Sequence, residues 1–344
     1  MESAERQEIY VLCGATTQPL VPWRRYWCIN EGFVMLIFTG ADGNYALQAQ
    51  VWMLSLVKTQ KSPVRVVVFG NSWSRKNQSV MKSLENDLVK VEFQEVEASR
   101  FANVQLKNGF PLATAYNVLA PLYLLAGESR AIYMDADMVV TEDLSPLWEM
   151  RLATPVGAVL DAHIVWMASP SMWRPWKEEG LEALTLYLNT GLMLMDLDRW
   201  RSEKLTERTL EYLEKYELPC VDQDALNLAL RGKFDQLHPR YNSMPYHHLK
   251  MLRYLDTVES DAVIGEAIAH PAVIHYHRSF FGKPWTHGCT HPGVSLWRSL
   301  ANEVQPGWRK QFDLVGSARA FAAKKAKMTT LDARSSNYPV TIMK

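Results

Sequence analysis

The chain has 344 residues, 48% of them hydrophobic and 22% charged, so its composition predicts an ordinary globular protein with one large core or two smaller ones. Its 37 basic and 37 acidic residues cancel, which argues against a protein that attracts nucleic acid through its overall field. We therefore predict no nucleic-acid partner.

The cysteines and the N-terminal segment indicate a reducing environment. None of the four cysteines forms a C-x-x-C pair: Cys13, Cys28, Cys220 and Cys289. This spacing argues against a structural zinc site and against a disulfide scaffold. The apolar run at 9–13 is too short for a signal peptide or a membrane span. We expect a cytoplasmic protein whose residues 1–32 form a leader of unassigned role.

Strand-like and helix-like segments alternate through the first half of the chain. Apolar runs predict strands at 33–38 and 64–69, and alternation predicts another at 89–96. Helical spacing of apolar residues predicts helices over 46–58, 76–88 and 112–125. This order indicates an α/β fold with a mostly parallel sheet, in which ligands bind beyond the carboxyl ends of the strands.

Polar residues follow the first predicted strand in a glycine-containing turn. Asp42 and Asn44 offer a carboxylate and an amide that can bind a base or a ribose hydroxyl. Asp, Gly and Asn are also the residues that turns prefer, so ordinary turn chemistry is the alternative explanation.

Two carboxylates one residue apart interrupt the apolar run at 131–140. Side chains at i and i+2 of an extended strand share a face, so Asp135 and Asp137 are predicted to converge. Converging carboxylates need a cation, and hard oxygen ligands suit Mg²⁺ or Mn²⁺. The alternative is a pair of surface aspartates in a turn. Neither G-x-G-x-x-G after the first strand nor a Walker phosphate loop occurs, so a metal is expected to carry phosphate charge.

The second half adds three polar groups. An Asn-Thr-Gly turn at Asn189 precedes an apolar strand, and Asp222 lies in a D-Q-D sequence that opens a helix. A short strand ends at His275, and Gly282 and Lys283 follow it. Taken alone, each has a structural explanation as a turn residue, a helix cap or a buried histidine.

In this order the motifs resemble glycosyltransferase family 8, the retaining enzymes that include lipooligosaccharide α-galactosyltransferases, glycogenin and galactinol synthase. The resemblance covers about residues 33–310 and is most similar to the bacterial α-1,4-galactosyltransferase type. It rests on these segments: TGADGNY, AIYMDADMVVTEDLSPLW, YLNTGLMLMDLDRW, VDQDALN, CTHPGVSLW and PGWRK. It implies a GT-A type fold with one Rossmann-like, mostly parallel sheet flanked by helices and a small C-terminal helical extension.

The resemblance also implies roles for individual residues. Mn²⁺, or Mg²⁺ as the alternative, would be held by Asp135, Asp137 and His275. The UDP-sugar would be bound by Asp42, Asn44, Ala136, Asn189, Thr190, Gly282 and Lys283. The catalytic residues would be Gln223, beside the anomeric carbon, and Asp222.

Two departures from the family pattern leave alternatives open. An arginine expected near the donor is replaced at Asn117-Val118, which allows a UDP-sugar-binding protein with impaired turnover. The loop after His275 is longer than in the galactosyltransferase type, so His277 is a second candidate metal ligand. A sugar nucleotidyltransferase is disfavoured, because no glycine-rich basic loop follows the first strand.

The implied reaction is retaining transfer of galactose or glucose from a UDP-sugar to a saccharide or glycolipid acceptor in cell-surface glycan synthesis. Gln223 is a poor nucleophile, so same-face attack by the acceptor is favoured over a double displacement through Asp222.

We expect a catalytic domain at 33–308. The basic and aromatic tail at 309–344 is either a peripheral contact with anionic lipid or a solvated helix.

Overall fold

The computed structural model describes residues 34–96, 115–123, 127–169, 174–251, 258–277, 279 and 281–311. The predicted leader and nearly all of the predicted tail lie outside the described residues. The domain boundaries and the membrane contact of the tail therefore stay predictions. Within the described ranges, no helix has both the length and the apolar character required to cross a bilayer.

A seven-stranded sheet lies at the centre of the described residues, in the order β3-β2-β1-β4-β7-β6-β8. The strands are β1 (Met35–Gly40), β2 (Val64–Gly70), β3 (Val89–Glu95), β4 (Arg130–Met134), β5 (Met138–Val140), β6 (Val156–Leu160), β7 (Leu188–Asp196), β8 (Asp235–Gln236) and β9 (Val273–His275). Strands β3, β2, β1 and β4 are parallel, whereas β7 runs antiparallel to β4 and β6. Strands β5 and β9 form a separate antiparallel pair.

Helices cover both faces of the sheet. They are α1 (Ala46–Thr59), α2 (Arg75–Ser83), α3 (Tyr116–Tyr123), α4 (Ser145–Trp148), α5 (Leu197–Ser202), α6 (Leu205–Lys215), α7 (Val221–Leu230), α8 (Pro245–Met251), α9 (Asp261–Ala269) and α10 (Val294–Val304). The prediction of an α/β fold with a mostly parallel sheet flanked by helices is confirmed.

Burial on both faces explains why the first strands read as continuous apolar runs. Along β1, Ile37 packs with Trp52 of α1 on one face, and Phe38 packs with Leu119 of α3 on the other. A parallel sheet with helices on both sides leaves no solvent face for polar residues. At the C-terminal side, Trp297 of α10 packs against α1. The predicted C-terminal helical extension belongs to the tail at 309–344, which lies almost entirely outside the described residues.

Three local predictions were wrong in detail. The apolar run at 131–140 is not one strand, because β4 ends at Met134 and β5 pairs with β9 rather than with the central sheet. Residues 189–191 belong to β7 itself, where the Gly191 carbonyl accepts a bond from the Asp135 amide (2.8 Å). The helix predicted at 76–88 ends at Ser83, since the Asn86 side chain binds the amides that open β3.

Candidate active site

A cleft of about 430 Å³ opens at the carboxyl ends of β1 and β4. Nine of the predicted site residues line it: Asp42, Asp135, Ala136, Asp137, Asn189, Thr190, Asp222, Gln223 and His275. Asn44, Gly282 and Lys283 are not among its lining residues, although Lys283 reaches Asp137 from the side. Parallel strands deliver their connecting turns to this edge, which is why segments far apart in sequence meet there.

One acidic pair and an imidazole converge at the floor of the cleft. Nε2 of His275 lies 3.6 Å from Oδ2 of Asp135 and 3.3 Å from Oδ1 of Asp137. The ligand atoms of all three lie within 4.8 Å of one another, the one such group found among the described residues. Neighbouring ligands of an octahedral ion with bonds near 2.1 Å are roughly 3 Å apart, so this set fits a divalent metal.

The turn after β4 explains this convergence. Asp135 follows the last residue of the strand, and Asp137 lies in the turn that leads into β5. Pairing of β5 with β9 places Met138 opposite His275, which brings the imidazole beside the two carboxylates. The carboxylates therefore meet through a turn and a strand pair, and not through the two-residue repeat of one strand.

The two carboxylates experience opposite electrostatic effects. Burial and the charge of Asp137 raise the pKa of Asp135 above its usual range. Burial also acts to raise the pKa of Asp137, but the Lys283 ammonium and His275 hold it well below that range. Lys283 forms an ion pair with Asp137, and the Tyr133 hydroxyl donates to Asp135 (2.6 Å). His275, the Tyr133 hydroxyl and Lys283 also favour the charged form of Asp135, but they do not offset its burial and the charge of Asp137.

The alternative ligand, His277, lies outside this group. Its ring contacts the His275 ring edge-on at 5.4 Å, and it lines the cleft. Burial, followed by the nearby His275, lowers the pKa of His277 to about 4. Among the described residues, the two aspartates thus form a group with His275, and His277 lies beside that group.

Asn189 and Gln223, which line the cleft, belong to a network of buried side-chain amides. The Gln223 Oε1 atom accepts from the amide of Thr190 (3.1 Å) and from Nδ2 of Asn189 (3.0 Å). Its Nε2 donates to Asp161 (3.1 Å), which also binds Nδ2 of Asn189 (2.8 Å). The Gln223 oxygen is therefore already occupied by donors.

Asn117 stands beside Asp222, close to where the family pattern carries an arginine. Its Nδ2 donates to Oδ2 of Asp222 at 2.6 Å, and Thr190 Oγ1 lies 3.3 Å from the same oxygen. Burial raises the pKa of Asp222 to about 7; the Asn117 bond opposes this effect, and the charge of Asp135 adds to it. An amide supplies a hydrogen bond without the positive charge that would stabilise the carboxylate.

This raised pKa gives a stability test for Asp222. Because the folded protein holds this proton more tightly than the unfolded chain, whose aspartates titrate near 4, the free energy of unfolding should fall as pH rises from about 4 to about 7. Asp222→Asn should remove this contribution. Urea unfolding of both metal-free proteins across that range measures it, and a constant difference between the two curves would contradict the assignment.

Beside the end of β1, the cleft combines a capped turn with aromatic rings. Asp42 caps the 3₁₀ turn at Gly43–Tyr45, because its side-chain carboxylate accepts a hydrogen bond from the backbone N–H of Asn44 (2.9 Å). The Tyr45 ring lines the cleft and packs edge-on against Trp285 at 6.0 Å. Lys283 lies over the same Trp285 ring, 5.4 Å from its centre. An aromatic surface next to a carboxylate suits a nucleoside.

Sequence reasoning missed several residues at the site, among them Tyr45, Tyr133, Asp161 and Asn242. Tyr45 and Tyr133 lie within the quoted motifs, so their proximity to Asp42 and Asp135 was a usable signal. Asp161 and Asn242 belong to none of the quoted motifs. Both are buried, and they bind Asn189 and His275 through hydrogen bonds that only the tertiary structure creates.

Comparison with known proteins identifies the family. The family model described as glycosyl transferase family 8 matches residues 36–289. General stress protein A of Bacillus subtilis (strain 168) is 30% identical over 272 residues, which covers 75% of this chain and 90% of that protein. Lipopolysaccharide 1,2-glucosyltransferase of Escherichia coli (strain K12) is 24% identical over 296 residues, with coverages of 82% and 81%.

Solved structures share the fold. The crystal structure of galactosyltransferase LgtC in complex with donor and acceptor sugar analogs superposes with a TM-score of 0.67 at 24% identity, covering 81% of this chain and all (100%) of that chain. The stretch that the family model matches contains every residue that lines the cleft, from Gly40 to His277. The chain therefore shares the fold of LgtC and belongs to glycosyl transferase family 8.

Proposed function

We propose that this protein is a Mn²⁺-dependent, retaining glycosyltransferase that moves galactose or glucose from a UDP-sugar to a saccharide or glycolipid acceptor. The convergence of Asp135, Asp137 and His275 at the edge of the sheet carries this proposal. The lipopolysaccharide glucosyltransferase among its relatives supports a role in cell-surface glycan synthesis.

The ligand set favours manganese. Two carboxylates alone would suit Mg²⁺, but an imidazole in the group shifts the preference toward Mn²⁺. A bound divalent ion supplies Lewis-acid neutralisation of the charge that develops on the diphosphate. The Lys283 ammonium, now paired with Asp137, is close enough to the same place to bind a phosphate oxygen. The Tyr45 ring and the Asp42 carboxylate would hold the uridine.

The hexose side of the cleft supports same-face attack. Gln223 is a neutral amide whose oxygen already accepts from Thr190 and Asn189, so it has little capacity to attack an anomeric carbon. We propose that it and Asp222 bind the hexose while the acceptor attacks the face that UDP leaves, with the departing phosphate taking the acceptor proton. A double displacement through Asp222 is the minority mechanism.

One observation favours a second candidate function. Asn117 occupies the side of Asp222 where a charged arginine is expected, so a protein that binds UDP-sugar with impaired turnover also fits the site. Location in the cytoplasm and contact of residues 309–344 with an anionic membrane remain predictions of the sequence.

The release of UDP from UDP-hexoses in the presence of Mn²⁺ tests both candidates. We expect the metal to stimulate release from UDP-galactose or UDP-glucose even without an acceptor, and chelation to abolish it. Calorimetric binding of the nucleotide-sugar without any release would support the impaired protein instead. The absence of both nucleotide-sugar binding and UDP release would contradict the proposal.

A further inference from the structure

A buried asparagine connects the central sheet to the imidazole at the floor of the cleft. Asn242 ends the 3₁₀ turn at Pro239–Asn242, and its side chain is fully buried. Its Oδ1 atom lies 2.9 Å from Nδ1 of His275. Its Nδ2 atom donates to Oδ1 of Asn189 at 2.8 Å. Asn242 thus contacts the imidazole on the side away from the two carboxylates.

The orientation of the Asn189 side-chain amide is fixed by hydrogen-bond partners that can only donate or only accept. Its Oδ1 accepts from the backbone N–H of Gly191 (3.0 Å), which can only donate. Its Nδ2 donates to Oδ2 of Asp161 (2.8 Å), whose carboxylate also accepts from two backbone amides. Reversing the Asn189 amide would lose both bonds, so its oxygen must face Asn242.

The orientation of Asn189 decides which nitrogen of His275 carries hydrogen. Asn242 must present Nδ2 to the Asn189 oxygen, and its own oxygen therefore faces Nδ1 of His275. A carbonyl oxygen only accepts, so Nδ1 is the donor. In the neutral ring Nε2 then carries the lone pair, directed at Asp135 and Asp137. The opposite tautomer would place an N–H there and close the position to a cation.

We propose that Asn242 is a positioning residue that selects the Nδ1–H tautomer of His275 and so keeps Nε2 available as a metal ligand. The inference rests on the proposed metal-dependent function. Histidines that bind metals commonly donate their other N–H to such a partner, and loss of the partner typically lowers metal affinity about 10- to 100-fold.

The first test uses the unmodified protein. ¹⁵N NMR of the metal-free chain, at a pH where the imidazole is neutral, reports which ring nitrogen is protonated, and His275→Gln assigns the signal. We expect the proton on Nδ1. A proton on Nε2 would overturn the proposal without recourse to any variant of Asn242.

The second test changes the partner. Asn242→Leu keeps the size but removes both hydrogen bonds, so Nε2–H should become populated and the Kd for Mn²⁺, measured by calorimetry, should rise about 10- to 100-fold. Asn242→Asp keeps an acceptor oxygen and should retain the Nδ1–H signal and most of the affinity. Rescue by aspartate separates a tautomer effect from a loss of packing.

A matched control removes a buried amide elsewhere. Gln60 is buried and bonds the backbone of Glu142 and Leu144, so Gln60→Leu should lower the Tm and leave Mn²⁺ affinity unchanged. Equal Mn²⁺ affinity in wild type and Asn242→Leu would overturn the proposed role of Asn242 but would leave the proposed function standing. A wild-type protein that does not bind Mn²⁺ would contradict the proposed function as well.

Discussion

Asp135→Asn should abolish detectable Mn²⁺ binding and lower the turnover of UDP-hexose by about 10³-fold or more. A metal ion contributes several kcal/mol to stabilising charge in a transition state, and about 4 kcal/mol corresponds to this factor. Asparagine keeps the shape of the side chain but removes a ligand charge. Calorimetry with Mn²⁺ and the rate of UDP release measure the two effects.

The same change should stabilise the metal-free protein. Burial and Asp137 raise the pKa of Asp135, so the folded state loses stability as pH rises above the usual aspartate range. Asparagine removes this penalty, and urea unfolding near neutral pH should give a higher free energy of unfolding. If the variant had lost activity because it is less stable, its free energy of unfolding would instead be lower than that of the wild type.

Two comparisons make this result specific. Asp198→Asn changes an exposed aspartate and should leave both metal binding and turnover unchanged. Gln223→Ala removes the hydrogen bonds of Gln223 with Thr190 and Asp161 and should lower turnover less, by about 10- to 100-fold. Equal and complete loss from Gln223→Ala and Asp135→Asn, with both proteins folded, would contradict the proposed division of roles.

The three proposed metal ligands could be found in the sequence because each one interrupts or ends an apolar run. Asp135 and Asp137 follow the buried residues of β4, and His275 is the last residue of β9. Only the pairing of β5 with β9 brings His275 to the aspartates, and this long-range contact has no local signature. The resemblance to family 8, and not the spacing, placed the three together.

The residues that orient the ligands could not be found in this way. Asn242 follows Arg240 and Tyr241 in a short polar segment that reads as a surface turn, yet it is fully buried. Asp161 follows the apolar residues of β6 and resembles an ordinary strand-ending aspartate. Their importance comes from hydrogen bonds to residues far away in the sequence, which local propensity does not encode.

Gly191→Ala should lower Mn²⁺ affinity by about 100-fold or more, although the residue offers no ligand atom. A Cβ at this position would lie 2.5 Å from Cε1 and 2.9 Å from Nδ1 of His275, and 3.0 Å from Oδ1 of Asn189. The ring is held by Asn242 and cannot move aside without losing its hydrogen bond. This contact explains why the N-x-G motif requires glycine.

Displacing a metal ligand should lower Mn²⁺ affinity at least as much as losing a residue that only orients a ligand. This comparison sets the lower bound on the expected loss of affinity in Gly191→Ala. Overpacking should also reduce the free energy of unfolding by about 1–3 kcal/mol. Calorimetry with Mn²⁺ and urea unfolding measure the two effects separately.

A second glycine provides the control for Gly191. Gly265 lies in α9, and a Cβ there would meet no atom within 4 Å. Gly265→Ala should therefore leave Mn²⁺ affinity unchanged and raise the free energy of unfolding by about 0.5–1 kcal/mol, because alanine loses less backbone entropy in a helix. If Gly191→Ala bound Mn²⁺ as tightly as this control, the His275 ring would have to tolerate displacement, and His275 would not be a ligand held in place by Gly191 and Asn242.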